Sequence, residues 1–545
     1  MRIPPSSDLH KREEFLDEII QISESSSVDR LTVNESLRNY VLFGTTEETK
    51  VNYNKIYPTI DLLSSFLYAQ ETVNFSIRYG AGAGKDQEGY QEKLKEKIRE
   101  VWHDSNTDEL FGQALFWSLT YNSFFLKILW NGSVRTFPLE PHMLGVYRED
   151  IPSIDSQEAI SHLYYVTKSE LERLLVNHPR RDEIMAKIQT GATPLDESMM
   201  PKTVSQMIMT QTQPNLIGAA NYTPYNYNYR PYFSPNLVEM REIWVWDDDL
   251  DDYRVFTRAQ PNIIIFDRPG ATVFLKGEHP FIKITPIPIY NYFWGRSMVQ
   301  DLHGLQDWRD RHMTRIDTIF RRILRPSRVF TGPWTGISDE RMVALDREGG
   351  TFNSPNPTAK VDTYKPEVDL AQAMAYIDKI DSMFNEAAGL ANILRAEGDE
   401  GVRSMQHAQV LARMASSRVK KKALVVEDPL EKLATLMLKL QIAHDDHKYL
   451  DENGEEFLLS QVTSDFEVKL SGHTSSPVFM EDLRQMANEM LQAKVIDRRT
   501  YIQLREPPMS EMLEARLKKI EEGERQAGET KQMLEVAKIA AKIKR

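Results

Sequence analysis

The sequence contains no cysteine among its 545 residues. Disulfides, thiolate nucleophiles and cysteine-ligated zinc are therefore all excluded. A chain without thiols is typical of proteins that fold in a reducing compartment, so the sequence predicts folding in the cytoplasm.

Long apolar runs are also missing. No uninterrupted hydrophobic segment approaches the roughly 20 residues that a membrane-spanning helix needs. The opening stretch, MRIPPSSDLHKREEF, has no apolar core of a secretory signal. The sequence thus predicts a chain with no membrane partner. Its hydrophobic fraction of 41% is enough to build cores, and its length suggests about two to four domains.

An excess of positive charge is the third thing that the chain lacks. It carries 67 Lys and Arg against 80 Asp and Glu, a formal net charge of −13. Proteins that hold nucleic acid tightly do so with many cationic side chains, which release counterions from the phosphates. If DNA is a partner of this chain, we expect it to be held loosely.

The local patterns indicate a mixed α+β protein. Asp8 is positioned to begin an amphipathic helix to about residue 22, and Thr167 with Glu170 has the form of a capping box. Asn131-Gly132 lies between two strand-like runs and predicts a hairpin turn. Farther along, an antiparallel meander is predicted from four runs: EIWVW, YRVFTR, NIIIFD and ATVFLK.

The segment from Pro286 to Leu390 predicts two long amphipathic helices around a Pro- and Gly-rich insert. Joined at one end, two such helices should lie antiparallel, with the insert projecting beyond their shared tip. The insert contains two strand-like runs, SRVFTG and KVDTYK. Apolar residues at steps of three and four form a predicted buried stripe on each helix: Met298, Leu302, Leu305, Met313, Ile316, Phe320 and Ile323, then Ala373, Ile377, Ile380, Phe384 and Ala387.

Two loops and a long helix complete the predicted organisation. Residues 190–236 are rich in Met, Gln, Asn and Tyr, and we interpret them either as an irregular insertion or as a loop that orders on a partner. Residues 391–404 predict a flexible loop, followed by a helix from Met405 that kinks or restarts at Pro429. Strands are predicted within 448–473, and helices thereafter.

No catalytic motif is complete. Gly80 to Lys85 resembles a phosphate-binding loop, but Tyr79 stands where the first glycine belongs and Asp86 replaces the Mg²⁺-binding Ser or Thr. Gly295-Arg-Ser297 lacks the second glycine of a nucleophile elbow. The sequence therefore predicts no enzyme and no cofactor.

Two clusters could in principle bind metal, and one run of basic residues could bind phosphate. The acidic run at 247–252 is interpreted as a solvated hairpin end, and the cluster at 444–447 as a helix end, so no metal site is predicted. The run from Arg418 to Lys422, which includes Lys420 and Lys421, has two interpretations: a solvated helix face or a surface that faces a channel.

Taken in order, these parts resemble a tailed-bacteriophage portal protein, the head-to-tail connector, over nearly the whole chain. The resemblance is carried by HPFIKITPIPIYNYFWGRSMVQDLHGLQDWRD, by the insert and second helix, by the loop at 391–404 with its long helix, and by EDLRQMANEMLQAKVIDRRTYIQL. It implies a portal fold with an α/β wing, a two-helix stem, a small α/β clip and an α-helical C-terminal crown. The implied segments are wing 1–290, stem helix 291–324, clip 325–369, stem helix 370–390, tunnel loop 391–404, long helix and wing return strands 405–477, and crown 478–545.

The resemblance also implies a function and partners. A ring of twelve copies would occupy one vertex of the virion capsid after assembly in the host cytoplasm. Double-stranded DNA would pass through it without sequence specificity, driven in by the terminase large subunit and later ejected. The major capsid protein, a scaffolding protein and tail adaptor or connector proteins would dock on it.

Specific residues follow from the resemblance. Five would lie in the tunnel loop: Arg395, Glu397, Asp399, Glu400 and Arg403. Three would lie in the clip, where partners dock: Arg325, Arg328 and Trp334. Five basic residues are candidates to face the channel: Arg309, Arg315, Lys420, Lys421 and Lys422. The alternatives are a virion adaptor that does not conduct DNA and a nucleotide-dependent enzyme.

Overall fold

The computed structural model describes most of the chain between residues 3 and 470. The described residues are 3–5, 8–44, 53–69, 73–79, 90–189, 237–324, 326–331, 340, 358, 360–364, 369–389, 405–445, 447–450, 456–458, 466–470, 487, 488, 490–493, 495, 501 and 516. The loop predictions at 190–236 and 391–404 and most of the predicted crown therefore lie outside the described residues.

Two compact units divide the chain, and both are discontinuous in sequence. The sheet unit comprises residues 1–35, 60–297 and 401–545, and the helix-pair unit comprises 36–59 and 298–400. Helices and strands occur together, which confirms the predicted α+β class. The grouping of 36–59 with the helix pair was not predicted, since the sequence assigned these residues to the wing.

Seven α-helices lie between residues 9 and 187 of the described chain. Their bounds are α1 Leu9–Ser23, α2 Ser27–Phe43, α3 Ile56–Leu67, α4 Gln91–Asp104, α5 Thr107–Tyr121, α6 Lys168–Leu174 and α7 Arg181–Lys187. Asp8 caps α1 by accepting the N–H of Lys11, and Thr167 and Glu170 form a complete capping box on α6. Both predicted helix starts are confirmed.

Antiparallel strands form the core of the sheet unit. Their bounds are β1 Phe75–Tyr79, β2 Phe124–Trp130, β3 Val134–Leu139, β4 Leu144–Val146, β5 Ala159–Thr167, β6 Leu237–Asp247, β7 Asp252–Ala259, β8 Ile263–Pro269 and β9 Phe281–Ile284. The order β4-β5-β6-β7-β8 makes one sheet and β3-β2-β9 another. The β2–β3 hairpin turns at Gly132, whose φ is +75°, as its Asn-Gly sequence predicts.

Helices cover both faces of the five-stranded sheet. On one face, Leu16 and Ile19 of α1 pack against Ile243 and Phe256. On the other, residues of α6 and α7 pack against Val238 and Met240 of β6. This alternation of buried side chains along β6 is what a strand covered on both sides requires.

The prediction of a fourth strand in the meander, at ATVFLK, is wrong. A short 3-10 turn occupies Gly270–Thr272, because the carboxylate of Asp252 accepts the N–H groups of Ala271 and Gly277, each at 2.8 Å. The segment thus folds around a buried carboxylate. The next strand, β9, instead joins β2 in the three-stranded sheet.

The helix-pair unit contains the two predicted long helices and strands of the insert. Their bounds are α8 Met298–Leu324, β10 Ser327–Thr331, β11 Lys360–Tyr364 and α9 Leu370–Ala388. The 27 residues of α8 make a rod of about 40 Å. Antiparallel pairing of β10 with β11 confirms both strands predicted in the insert.

The last described elements return the chain to the sheet unit. They are α10 Met405–His444, β12 Lys448–Leu450, β13 Glu456–Leu458 and β14 Phe466–Leu470. Of the two alternatives predicted at Pro429, a kink or a restart, the restart is wrong, since α10 continues through the proline. Leu430, Leu433 and Met437 are fully buried, and their packing holds the helix where the proline removes one hydrogen bond. β14 pairs with β1, placing Leu470 opposite Phe75.

Candidate functional site: the antiparallel helix pair

Capping residues and a proline set the ends of the two long helices. Asp369 caps α9 by accepting the N–H of Ala371 at 2.9 Å, and Gly389 ends it in the left-handed region at φ +72°. Pro326 follows the end of α8. Pro326 therefore marks the end of α8 and the start of the insert, Asp369 the start of α9, and Gly389 its end.

Contacts between α8 and α9 confirm the predicted antiparallel arrangement. Arg309 pairs with Asp381, and farther along α8 the ring of His312 packs on Tyr376, with centroids 5.1 Å apart. The position on α9 falls as the position on α8 rises. Trp308 completes this aromatic contact, 5.7 Å from Tyr376.

Arg309 requires a correction, because it was a candidate to face the channel. The residue is 8% exposed, and its Nε donates to Asp381 Oδ1 at 2.8 Å. Lys55 Nζ reaches the same carboxylate oxygen at 3.0 Å. The ring of Tyr53 lies 4.9 Å from the Arg309 guanidinium carbon. Arg309 therefore holds the helices together.

A buried amide and carboxyl on α8 extend this polar interior. Gln306 donates to Asp310 Oδ2 and to the Tyr53 carbonyl, both at 2.9 Å, and accepts the N–H of Lys55 at 3.2 Å. Burial raises the pKa of Asp310. The Gln306–Asp310 spacing of four residues was a readable signal of a shared face, but its burial was not predicted.

Loss of Asp381 is expected to destabilise the helix-pair unit by about 2–4 kcal/mol, because two cations would remain buried without their carboxylate. The measurement is the urea midpoint of Asp381→Ala, with amide exchange in α8 as the local readout. Asp362→Ala, at an exposed position of β11, is the control and should change stability by less than about 0.5 kcal/mol. Equal stabilities of the two variants would contradict this account of Asp381.

The predicted buried stripes are correct only in part. On α9, Ile377, Ile380 and Phe384 are buried as predicted, but Ala388 rather than Ala387 completes the stripe. On α8, Met298 and Leu302 are buried as predicted, whereas Phe320 is 46% exposed. Leu324, which does not belong to the predicted stripe, is 66% exposed. The C-terminal half of α8 thus exposes apolar side chains, and α9 exposes three more: Met374, Tyr376 and Met383.

The other candidate basic residues differ in exposure. Arg315 is exposed on α8, and Lys421 is exposed on α10, with Lys420 and Lys422 half-buried beside it. Val419, in the same run, is buried. The basic run therefore lies along the outer side of a packed helix, which leaves both of its interpretations open.

The remaining predicted site residues fall largely outside the described chain. This holds for the five tunnel-loop residues and for Arg325 and Trp334 of the clip. Arg328 lies on β10, where its backbone is paired opposite Thr363 of β11.

The features considered for catalysis have structural partners where they are described. Ser297 is fully buried and donates to the carbonyl of Thr120, so it presents no exposed nucleophile. His444 stacks on Trp130 with centroids 4.8 Å apart, and His447 pairs with Asp445 at 2.7 Å. No group of three metal-ligating side chains occurs in the described part of the chain. The glycine loop at 80–85 lies outside it.

None of the described helices combines the length and the hydrophobicity needed to span a bilayer. In comparisons with known proteins, no family model matches the chain, and no curated protein is significantly similar to it.

Proposed function

We propose that this chain is a phage portal protein, a subunit of a non-enzymatic ring of twelve copies at one vertex of the virion capsid. The antiparallel helix pair, with a two-stranded insert between its helices, is the observation that carries the proposal. Double-stranded DNA would pass through the ring during packaging by the terminase large subunit and again during ejection. The capsid, scaffolding and tail adaptor proteins would dock on it.

Surface properties of the helix pair support the ring. Exposed apolar side chains on the C-terminal half of α8 and on α9 could be buried against neighbouring copies of the chain. A cyclic ring needs a head-to-tail contact between two different surfaces of each copy, and a two-helix layer offers such surfaces.

The charge of the chain supports passage of DNA and not tight binding. Twelve copies at −13 each would carry about −156 in total. Such a field repels phosphates, so a duplex would slide through the ring. Assembly in the host cytoplasm agrees with the absence of cysteine.

The purified chain is expected to form a particle of about twelve times the 63.1 kDa of one copy, with a central opening that admits a duplex. Light scattering gives the mass, and electron microscopy of top views gives the copy number and the opening. A chain that stays monomeric at every salt concentration would overturn the proposal. A closed ring without an opening would favour a non-conducting adaptor, and ATP hydrolysis lost in Lys85→Ala would favour an enzyme.

A further inference from the structure

A row of arginines follows one side of α8. Arg311, Arg315 and Arg322 are separated by four and seven residues, which places them on one face of an α-helix. All three are exposed, and the contacts with α9 come from other residues, namely Trp308, Arg309 and His312. We call this row the arginine stripe. Among the described residues, Arg315 and Arg322 have no ion-pair partner.

A row of small and acidic residues follows the outer side of α9. It consists of Ala371, Ala375, Asp378, Ser382 and Glu386, at steps of three and four residues, and every member is exposed. We call this row the acidic stripe. It lies on the side of α9 away from its buried residues, Ile377, Ile380 and Phe384. Asp378 and Glu386 form no ion pair with any residue that the structure describes.

The charges of the two stripes are opposite in sign and similar in spacing. Seven residues separate Arg315 from Arg322, a rise of about 10.5 Å, and eight separate Asp378 from Glu386, about 12 Å. Guanidinium groups pair with carboxylates through two parallel hydrogen bonds, and the alanines and serine between the acids leave room for a second helix to approach.

We propose that the arginine stripe of one copy packs on the acidic stripe of the next copy in the ring. The inference rests on the proposed function, since it assumes that copies assemble. Because the two stripes are different surfaces of one subunit, their contact is heterologous and leaves each copy with one stripe for each neighbour. Alternating α8 and α9 helices would then form a continuous wall.

Charge reversal tests the contact. Arg315→Glu with Arg322→Glu places like charges on both stripes, and so does Asp378→Arg with Glu386→Arg. Each double variant alone is expected to lower the fraction of chains in rings at least tenfold, because like charges then face each other at every contact. Arg321→Glu is the matched control, since it reverses a charge on the same helix away from the arginine stripe, and it should leave assembly unchanged.

Mixing the two double variants in equal amounts is the decisive measurement. In a mixed ring, the glutamates of the arginine-stripe variant face the new arginines of the acidic-stripe variant. The unchanged acidic stripe of the first variant faces the unchanged arginine stripe of the second. Rings in which the two variants alternate should therefore form at close to the wild-type yield. This recovery also establishes that both variants fold. Ring mass is measured by light scattering and composition by native mass spectrometry.

The outcomes separate the inference from the proposed function. If wild-type chains form no rings, the ring proposal and the inference both fail. If wild-type and both double variants assemble equally well, only the stripe contact is wrong. If the arginine variant assembles normally but its rings no longer retain a linear duplex DNA, the arginine stripe faces the DNA and the contact proposed here is overturned.

Discussion

Replacement of Lys127 by methionine is expected to lower the free energy of unfolding of the sheet unit by about 3–5 kcal/mol. Lys127, on β2, is 4% exposed, and its Nζ lies 2.9 Å from both carboxylate oxygens of Glu242 on β6. It also lies 3.3 Å from Nδ1 of His162 on β5. The pair therefore joins the three-stranded sheet to the five-stranded sheet through a buried contact.

The protonation states of Glu242 and His162 explain why removing Lys127 should cost so much folding free energy. Burial alone would raise the pKa of Glu242, but the charge of Lys127 and the hydrogen bonds from Lys127 and Trp244 lower it overall, so its carboxylate stays charged. Burial and the charge of Lys127 lower the pKa of His162 to about 3, so that ring is neutral and cannot replace the lysine. Lys127→Met would leave Glu242 buried and bonded only to the indole N–H of Trp244, at 2.7 Å, so its carboxylate must either stay unpaired or take up a proton, and both cost folding free energy.

Urea denaturation followed by tryptophan fluorescence measures this effect, since Trp244 belongs to the network. Lys187→Met is the control, because the ion pair of Lys187 with Glu183 is exposed to solvent and its loss should leave the urea midpoint nearly unchanged. Adding Glu242→Gln to Lys127→Met should recover part of the loss, since the unpaired charge disappears. A Lys127→Met chain within 1 kcal/mol of wild type would show that the pair is not desolvated.

Gly295→Ala is expected to destabilise the sheet unit by about 2–4 kcal/mol. Gly295 precedes α8 at φ +71°, in the left-handed region that alanine avoids. A Cβ atom there would collide with Thr285 Cγ2 and lie 2.9 Å from the carbonyl oxygen of Ile287. The second contact is with backbone, which cannot rotate away, so the turn that leads into α8 must shift.

Gly132→Ala is a matched control for the backbone effect. Its φ is +75°, but an added Cβ would meet no atom within 4 Å. It should therefore lose only the conformational term, about 1 kcal/mol. Thermal unfolding of both variants separates the cost of the backbone conformation from the cost of the steric contacts. Equal losses of stability in Gly295→Ala and Gly132→Ala would show that the turn at Gly295 relaxes without strain.

The three stability predictions and the stripe contact concern different parts of the molecule. Lys127 and Gly295 set the stability of the sheet unit, Asp381 that of the helix pair, and the stripes the contact between copies. A variant that fails to assemble can thus be assigned to folding or to association by comparing its unfolding with its ring yield.

The sequence by itself determined the elements that depend on neighbouring residues. Asp8, Thr167 with Glu170, Asn131-Gly132 and Asp369 act within one turn of the chain, so their capping and turning roles are local. The apolar periodicity of α8 and α9 likewise needs only one helix at a time. This periodicity predicted the helix pair, and the runs SRVFTG and KVDTYK predicted the strands of its insert.

Only the tertiary structure decided which polar residues are buried and which helices continue. Arg309 is buried because Lys55, Tyr53 and Asp381, which are distant in sequence, converge around it. Lys127 and Glu242 are 115 residues apart. Pro429 stays inside a helix because the packing of its neighbours outweighs its lost hydrogen bond. Burial is a property of partners that folding brings together, and a periodic pattern in one segment contains no record of them.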